Sequence, residues 1–327
     1  MYTIRPFNPT TNEDYQALLA VHNAAWPDEP ASMASWRFND THWQKGKLRQ
    51  RFVVENDGQL IAEGNYLEPF WARAPGKYYY GYSILPAYEE RSDLHQAVYD
   101  HVLAQLAERQ PTALGIDTRE DKTFRMNWLQ SQGFAAKMRY PVSELDVTTF
   151  DFSRFEGAQE RVAGAGVTIL PLAELREKDA NWLRKTYEML WQIEQDVPQV
   201  DPPVKEPFEE FVKGLKHPNF WPEAWFIAVD PAASSDDDPV GAYVGVSMLG
   251  KNPPMPERLY TWLTGVVRSH RRKGIALAMK LRAIELAQQS GAIAIRTDNE
   301  ENNPMLGINK TLGFVEIPAG VEYEKEL

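Results

Sequence analysis

The chain has 327 residues, no cysteine, a formal net charge of −11, and hydrophobic and charged shares of 43% and 25%. Disulfides, thiolate metal sites and cysteine nucleophiles are excluded, and the length allows two buried cores in an ordinary globular composition. So acidic a chain lacks the extended cationic face that nucleic-acid phosphates require, so no nucleic-acid partner is expected; a cationic amine would be tolerated.

No apolar run reaches the length of a membrane span, and the opening residues lack the basic-then-apolar order of a signal peptide. No membrane partner and a cytoplasmic location are therefore expected. Tyr2–Pro6 predicts a short strand, and Asn12 to about Ala25 a helix with Tyr15, Leu18, Leu19 and Val21 on one stripe. Asp57-Gly58, between Arg51–Glu55 and Gln59–Tyr66, is a hairpin signal. Lys77–Leu85 predicts a further strand. Asp93–Glu108 predicts a helix, with Leu94, Val98, Val102 and Leu106 on one face and Ser92 as its cap. Thr112–Asp117 and the Gly133-Phe134 pair follow, and Phe150–Gly166, containing Gly157, Gly164 and Gly166, reads as a connector.

The second half repeats this order. Val167–Leu170 predicts a strand, Asp179 to about Gln195 a helix, and Trp225–Asp230 with Val240–Met248 a hairpin around the acidic loop Ser234–Pro239. Leu259–Val267 suits a buried or half-buried strand. Arg268–Lys273 then holds four cations and one histidine, Gly274 removes a side chain at the turn, and Ile275 starts a helix. Such a loop presents backbone N–H groups and a helix N-terminus to an anion with guanidinium and ammonium groups beside them, which implies a di- or polyphosphate. Ala292–Asp298 predicts another strand, ahead of a segment running from Asn299 through Asn302 to Leu312-Gly313-Phe314.

The halves align at a nearly constant offset, Ile84–Tyr88 against Val266–His270 and Gly133-Phe134 against Gly313-Phe314. The first copy then has Glu89 where the second has Arg271 and Ser92 where it has Gly274, and carboxylates would repel a pyrophosphate. The expected division is residues 1–150 without a diphosphate site, a linker over 151–165, and residues 166–327 with one.

Val266, Arg271, Gly274 and Ala276 fit the pattern V-x(4)-[QR]-x-x-G-x-[GA], and with the Asn302 to Leu312-Gly313-Phe314 segment the second half resembles the GCN5-related N-acetyltransferases (GNAT family). The resemblance implies an α/β (α+β) chain of two tandem GNAT-like domains, each a mixed, mostly antiparallel sheet flanked by helices. It implies acetyl-coenzyme A as co-substrate, bound by Val266, Val267, Arg271, Arg272, Lys273, Gly274, Ile275 and Ala276, with Arg268 adding charge, Asn302 near the pantetheine arm and Gly265 in a strand bulge. The implied reaction is direct acetyl transfer to a primary amine of a small molecule, without a metal, by a monomer or weak homodimer.

Asn309 stands where the family often has a tyrosine that protonates the leaving thiolate; an amide can donate a hydrogen bond but is no general acid. Glu194, Asp196 and Asp201, after the first helix of the second copy, are the carboxylates considered as base or ammonium ligand, with Tyr260, Thr261 and Thr264 as alternatives. Trp191 and Trp221 are candidates for an acceptor pocket. The scattered histidines read as structural or exposed, and Asp236–Asp238 as a solvated hairpin tip rather than a metal site. Two other readings are a mycothiol-synthase-like tandem enzyme and a non-catalytic acyl-coenzyme A binding or sensing protein.

Overall fold

The computed structural model describes residues 2–235 and 238–327, so Asp236 and Asp237 of the acidic tip lie outside the described residues. The chain divides into two compact units. The first holds Met1–Tyr140, Gln199–Glu206 and Pro318–Leu327; the second holds Pro141–Pro198 and Pro207–Ile317. The units thus differ from the two consecutive stretches that sequence order suggested, because the last strand folds with the first half and a strand before residue 150 folds with the second.

In chain order the elements are β1 (Thr3–Pro6), α1 (Asn12–Ala25), α2 (Met33–Thr41), β2 (Arg49–Asn56), β3 (Gln59–Leu67), β4 (Lys77–Ile84), α3 (Ser92–Leu106), β5 (Ala113–Arg119) and α4 (Thr123–Ser131). Next come β6 (Ala135–Asp146), α5 (Ala158–Gly164), β7 (Thr168–Pro171), α6 (Leu172–Lys178), α7 (Trp182–Glu194), α8 (Phe208–Gly214) and β8 (Trp225–Asp230). The chain closes with β9 (Ala242–Gly250), β10 (Arg258–Val266), α9 (Ile275–Gln289), β11 (Ala294–Asp298), α10 (Met305–Leu312) and β12 (Val315–Glu326).

Local chemistry explains several boundaries. Thr11 accepts from the Asp14 N–H at 3.2 Å while the Asp14 carboxylate accepts from the Thr11 N–H at 3.0 Å, a capping box that opens α1. Asp57 and Gly58 have φ of 51° and 80°, as the two-residue turn of the β2–β3 hairpin requires. Ser92 is the first residue of α3 rather than its cap; Arg91 holds the cap position without a side-chain bond.

In the first unit the strand order is β1-β2-β3-β4-β5-β12, and in the second it is β6-β11-β10-β9-β8-β7. Within each unit the pairing is mainly antiparallel, with one parallel pair: β4 with β5 over Lys77–Tyr79 and Ala113–Gly115, and β10 with β11 over Arg258–Tyr260 and Ala294–Arg296. Both parallel pairs are short, and beyond them the strands part. The two helix ends before the Gly-Phe pairs also match: Gly133 and Gly313 have φ of 84° and 95°, and Phe134 and Phe314 each donate at 3.0 Å to a carbonyl five residues back, Leu129 and Asn309. The repeat is therefore one of geometry as well as sequence.

The first core gathers Phe52, Ile61, Ile84, Leu94, Val98, Leu114, Ile116 and Tyr323, and the second Leu172, Ile193, Ile227, Val246, Ile275, Met279, Ile284 and Leu312. No described helix is long and apolar enough to cross a membrane.

Candidate functional site

In the second unit β10 pairs with β9 as far as Val266, whereas its pairing with β11 ends at Tyr260. The β11-facing edge of β10 beyond Tyr260 is thus freed from the ladder, and its backbone groups are open to a ligand. The expected bulge at Gly265 is not there. The register shifts instead between Thr261 and Leu263, around Trp262, and Gly265 is needed because a Cβ would come within 2.2 Å of Ile193 Cγ2 on α7.

A single 3-10 turn, Arg268–His270, leads out of β10, and α9 begins at Ile275. Between them Arg272 and Gly274 adopt φ of 65° and 79°. These left-handed residues curl the backbone into a nest, and first-turn N–H groups of a helix have no intrahelical acceptor, so the loop offers converging donors and a helix dipole to an anion. A Cβ at Gly274 would meet nothing within 4 Å, so the glycine is required by the backbone angle, and the space beside it stays open. Arg271 is fixed by its Nε donating to the Val266 carbonyl at 2.9 Å.

A cavity of about 370 Å³ sits here, bounded by β10, this loop, the end of α7 and the start of α10. Of the residues expected at a coenzyme site, Val266, Arg271, Arg272, Gly274, Ile275 and Ala276 line it. Val267 is buried and spends its N–H on the Val244 carbonyl at 2.9 Å, and Lys273 is exposed at the loop surface. Asn302 bonds Glu300 through both its backbone N–H (2.9 Å) and its amide (2.7 Å), and its neighbour Asn303 lines the cavity instead. The helix there opens at Met305, whose N–H is capped by Asn303 Oδ1 at 3.0 Å.

The catalytic candidates separate. Asn309 is fully buried, donates to Asn299 Oδ1 at 2.6 Å, and leaves its own Oδ1 without a partner. The side chain is packed inside the unit and does not line the cavity, which corrects the expectation that it faces a leaving group. Asp196 does line it, with its carboxylate gripped by two loop guanidiniums: Arg268 Nε lies 2.9 and 3.0 Å from its oxygens, and Arg271 Nη2 also donates to it. Those bonds, Arg268 first, hold the Asp196 carboxyl below the usual carboxylate range. Glu194, at the end of α7, does not line the cavity; its residue surface is exposed, and the partial desolvation of its carboxyl raises it. Asp201 folds with the first unit, bonded by Lys77 Nζ at 2.6 Å and Tyr79 Oη at 3.4 Å. Tyr260 Oη donates to Asp298, Thr261 is buried, and Thr264, bonded to Ser247 at 3.0 Å, lines the cavity. Lys251 Nζ lies 5.6 Å above the Trp221 ring.

His270 belongs to the site although the sequence reading set the histidines aside. It lines the cavity and its Nε2 is 3.1 Å from Asp230 Oδ2. The signal was its place among the four cations of the loop. Among the described residues no three or more His, Cys, Asp or Glu side chains gather as a metal site.

The corresponding loop of the first unit is built otherwise. It too opens with a 3-10 turn, Pro86–Tyr88, but neither Glu90 nor Ser92, the counterparts of Arg272 and Gly274, has a positive φ, so it forms no left-handed nest there. Arg125, 1% exposed, donates to the Glu89 carboxylate at 3.2 Å and to the Tyr82 carbonyl at 3.0 Å, and stands 4.4 Å over the Tyr82 ring. His95 bridges the Tyr82 hydroxyl (2.6 Å) and the Glu89 carbonyl (2.7 Å), and burial pushes it down to about 4. Where the second unit presents a guanidinium to a cavity, the first holds a carboxylate neutralised from within.

Residues 182–314 match the profile described as Acetyltransferase (GNAT) family. No curated protein matches the chain. Among solved structures, the GCN5-related N-acetyltransferase from Sphaerobacter thermophilus is 16% identical, with a TM-score of 0.69 over 99% of this chain and 95% of that one. A tandem GNAT protein from the clavulanic acid biosynthesis pathway is 15% identical, with a TM-score of 0.74 over 100% of this chain and 98% of that one. A glucosamine N-acetyltransferase region of a fungal multi-domain GH3 beta-N-acetylglucosaminidase is 11% identical, with a TM-score of 0.68 over 99% of this chain and 38% of that one. At such identities the likeness is one of fold, and the fold is that of a tandem GNAT protein.

Proposed function

The chain carries a domain of the GNAT acetyltransferase family in residues 182–314, and from that premise we propose that it transfers an acetyl group from acetyl-coenzyme A directly to a primary amine of a small molecule, at the cavity of the second unit. The observation that carries this reading is the nest of Arg272 and Gly274 at the mouth of α9, with Arg271 beside it and the parted strands β10 and β11 behind it. Family members draw on acetyl-coenzyme A, and the donors present suit its pyrophosphate.

The chain's own groups then divide the work. The loop N–H groups and Arg271 hold the diphosphate, which takes the guanidiniums of Arg268 and Arg271 away from the single carboxylate of Asp196. The open edge of β10 offers backbone N–H groups to the pantetheine amides and to the carbonyl oxygen as it gains charge. An aliphatic amine, with a pKa near ~10.4, is protonated at neutral pH and must lose that proton before attacking. Glu194, next to the cavity-lining Ile193 but not itself in the lining, is assigned as its acceptor through water, its carboxyl being raised while two arginines hold that of Asp196 low. The amine nitrogen bonds to the acetyl carbon, the carbon–sulfur bond breaks, and the thiolate leaves and takes its proton from solvent, since Asn309 is buried away from it. The first unit, with Glu89 held by Arg125, is assigned no coenzyme. The protein is placed in the cytoplasm as a monomer or weak homodimer, working without a metal.

Burial of Asn309 also favours a second reading, acyl-coenzyme A binding without turnover. Release of free thiol from acetyl-coenzyme A, measured with polyamines, amino sugars and aminoglycosides as acceptors, separates the two. Amine-dependent release above background supports the transferase. Coenzyme binding with no release for any acceptor supports the binding protein.

A further inference from the structure

The first unit contains a cavity of about 460 Å³ between the β1–α1 connection, the end of α2 and the start of β2. Its lining carries Lys45, Lys47, Arg49 and Arg51 against one carboxylate, Asp40, in a chain whose net charge is −11. That carboxylate is already shared. Arg51, 5% exposed, donates to it through Nε (2.9 Å) and Nη2 (3.1 Å), the Tyr15 hydroxyl donates at 3.1 Å, and Arg49 Nη2 is 3.3 Å away. One negative charge therefore serves two guanidiniums. Glu68 bonds Lys47 at 2.6 Å, and Glu63 approaches Arg51 only to 3.9 Å.

Among residues lining this cavity, two donors are buried without an acceptor, Arg49 Nε and the indole N–H of Trp43, beside one buried acceptor without a donor, Gln44 Oε1, and the Arg49 guanidinium stacks over the Trp43 ring at 4.7 Å. Native structures leave few buried donors empty, so a pair of them beside an excess of positive charge calls for an occupant that accepts hydrogen bonds and carries negative charge. Burial, and then Arg51, push Arg49 down to about 10 even though Asp40, shared with Arg51, opposes the shift. The volume exceeds that of an inorganic ion and falls among small-molecule sites.

We propose that this cavity binds a small oxyanion, a metabolite bearing a carboxylate or phosphate group, held by Arg49 and Trp43 with Lys45 at the rim. The site lies wholly within the first unit and shares no residue with the coenzyme cavity, so it stands or falls apart from the acetyltransferase reading. The probes are inorganic phosphate and citrate, titrated calorimetrically into the full chain at constant ionic strength, with spermidine as a cationic control. The expected result is saturable binding of at least one anion below a Kd of about 1 mM, weakened at least ~tenfold in Arg49→Gln and unchanged in Lys178→Gln, a control at an exposed lysine outside both cavities. Lys45 is exposed, so Lys45→Gln, which leaves the packed structure intact, should weaken binding as well and decides the matter if Arg49→Gln does not fold. Phosphate binding alone or citrate binding alone identifies which oxyanion the site takes. No heat from either anion, equal binding of spermidine, or anion binding unaltered in both variants overturns the proposal.

Discussion

At the scale of single residues, the turn of the Arg268–Gly274 loop was legible because its demands are local. A glycine where the backbone turns can be read from spacing, and Gly274 has φ 79°; the bond from Arg271 back to the Val266 carbonyl is seen only in the structure. What spacing does not show is which way a side chain faces or how deep it lies. Asn309 and Asn302 were placed by motif position, yet one is packed inside and the other is occupied by Glu300, while Asn303 and His270 reach the cavity. Asp196 was considered as a base or ammonium ligand, and in the structure its carboxylate is held by Arg268 and Arg271. Asp196→Asn should therefore tighten acetyl-coenzyme A binding by roughly three- to tenfold in a calorimetric titration, since it removes a competitor for the two guanidiniums. Loss of turnover at unchanged affinity would instead return Asp196 to the role of base. For Glu194, whose carboxyl is raised by desolvation, activity should climb with pH as the group loses its proton, with the acid limb of kcat/KM lying above the ordinary glutamate value of ~4.3. In Glu194→Gln that limb should disappear while coenzyme affinity stays the same; an unaltered limb would clear Glu194 of the role.

At the scale of elements, strongly patterned segments were readable and those with internal breakers were not. α1 is found where its apolar stripe and capping residues put it, Asn12–Ala25. β12 went unread although Ile317, Ala319, Val321 and Tyr323 alternate along it, because Pro318 and Gly320 interrupt the run as a turn would. β6 contains Pro141 and was lost in the same way. α9 carries a feature no periodicity explains: Lys280 is 3% exposed on its packed side, Nζ 5.4 Å above the Phe314 ring, and burial pushes it down to about 8 from 10.5. Because the folded pKa is depressed, the stability tied to this group is complete above the unfolded value and is lost as pH falls through about 8. Lys280→Met should therefore stabilise the chain at pH 7 by about 1–3 kcal/mol in denaturant unfolding, and the gain should shrink towards pH 10. A variant less stable than the parent at pH 7 would mean that the ammonium group contributes a needed interaction.

At the scale of the whole molecule, the repeat of strand, loop and helix was visible in the sequence because the Gly-Phe pairs and the segments after β4 and β10 keep their spacing. The composition of the units was not, since strand partners are long-range choices: β12 pairs with β5 and β6 with β11, each outside the half in which sequence order had placed it. Between the copies, Glu89 stands against Arg271 and Ser92 against Gly274, and under the proposed function these positions set which unit holds a diphosphate. The central claim is one coenzyme site per chain, in the second unit, and it is tested most directly by calorimetric titration of acetyl-coenzyme A into the intact protein and into a variant carrying Arg271→Glu and Gly274→Glu. The account predicts a stoichiometry of one and its loss in the variant, whereas two sites, no binding at all, or affinity that survives both substitutions would contradict it.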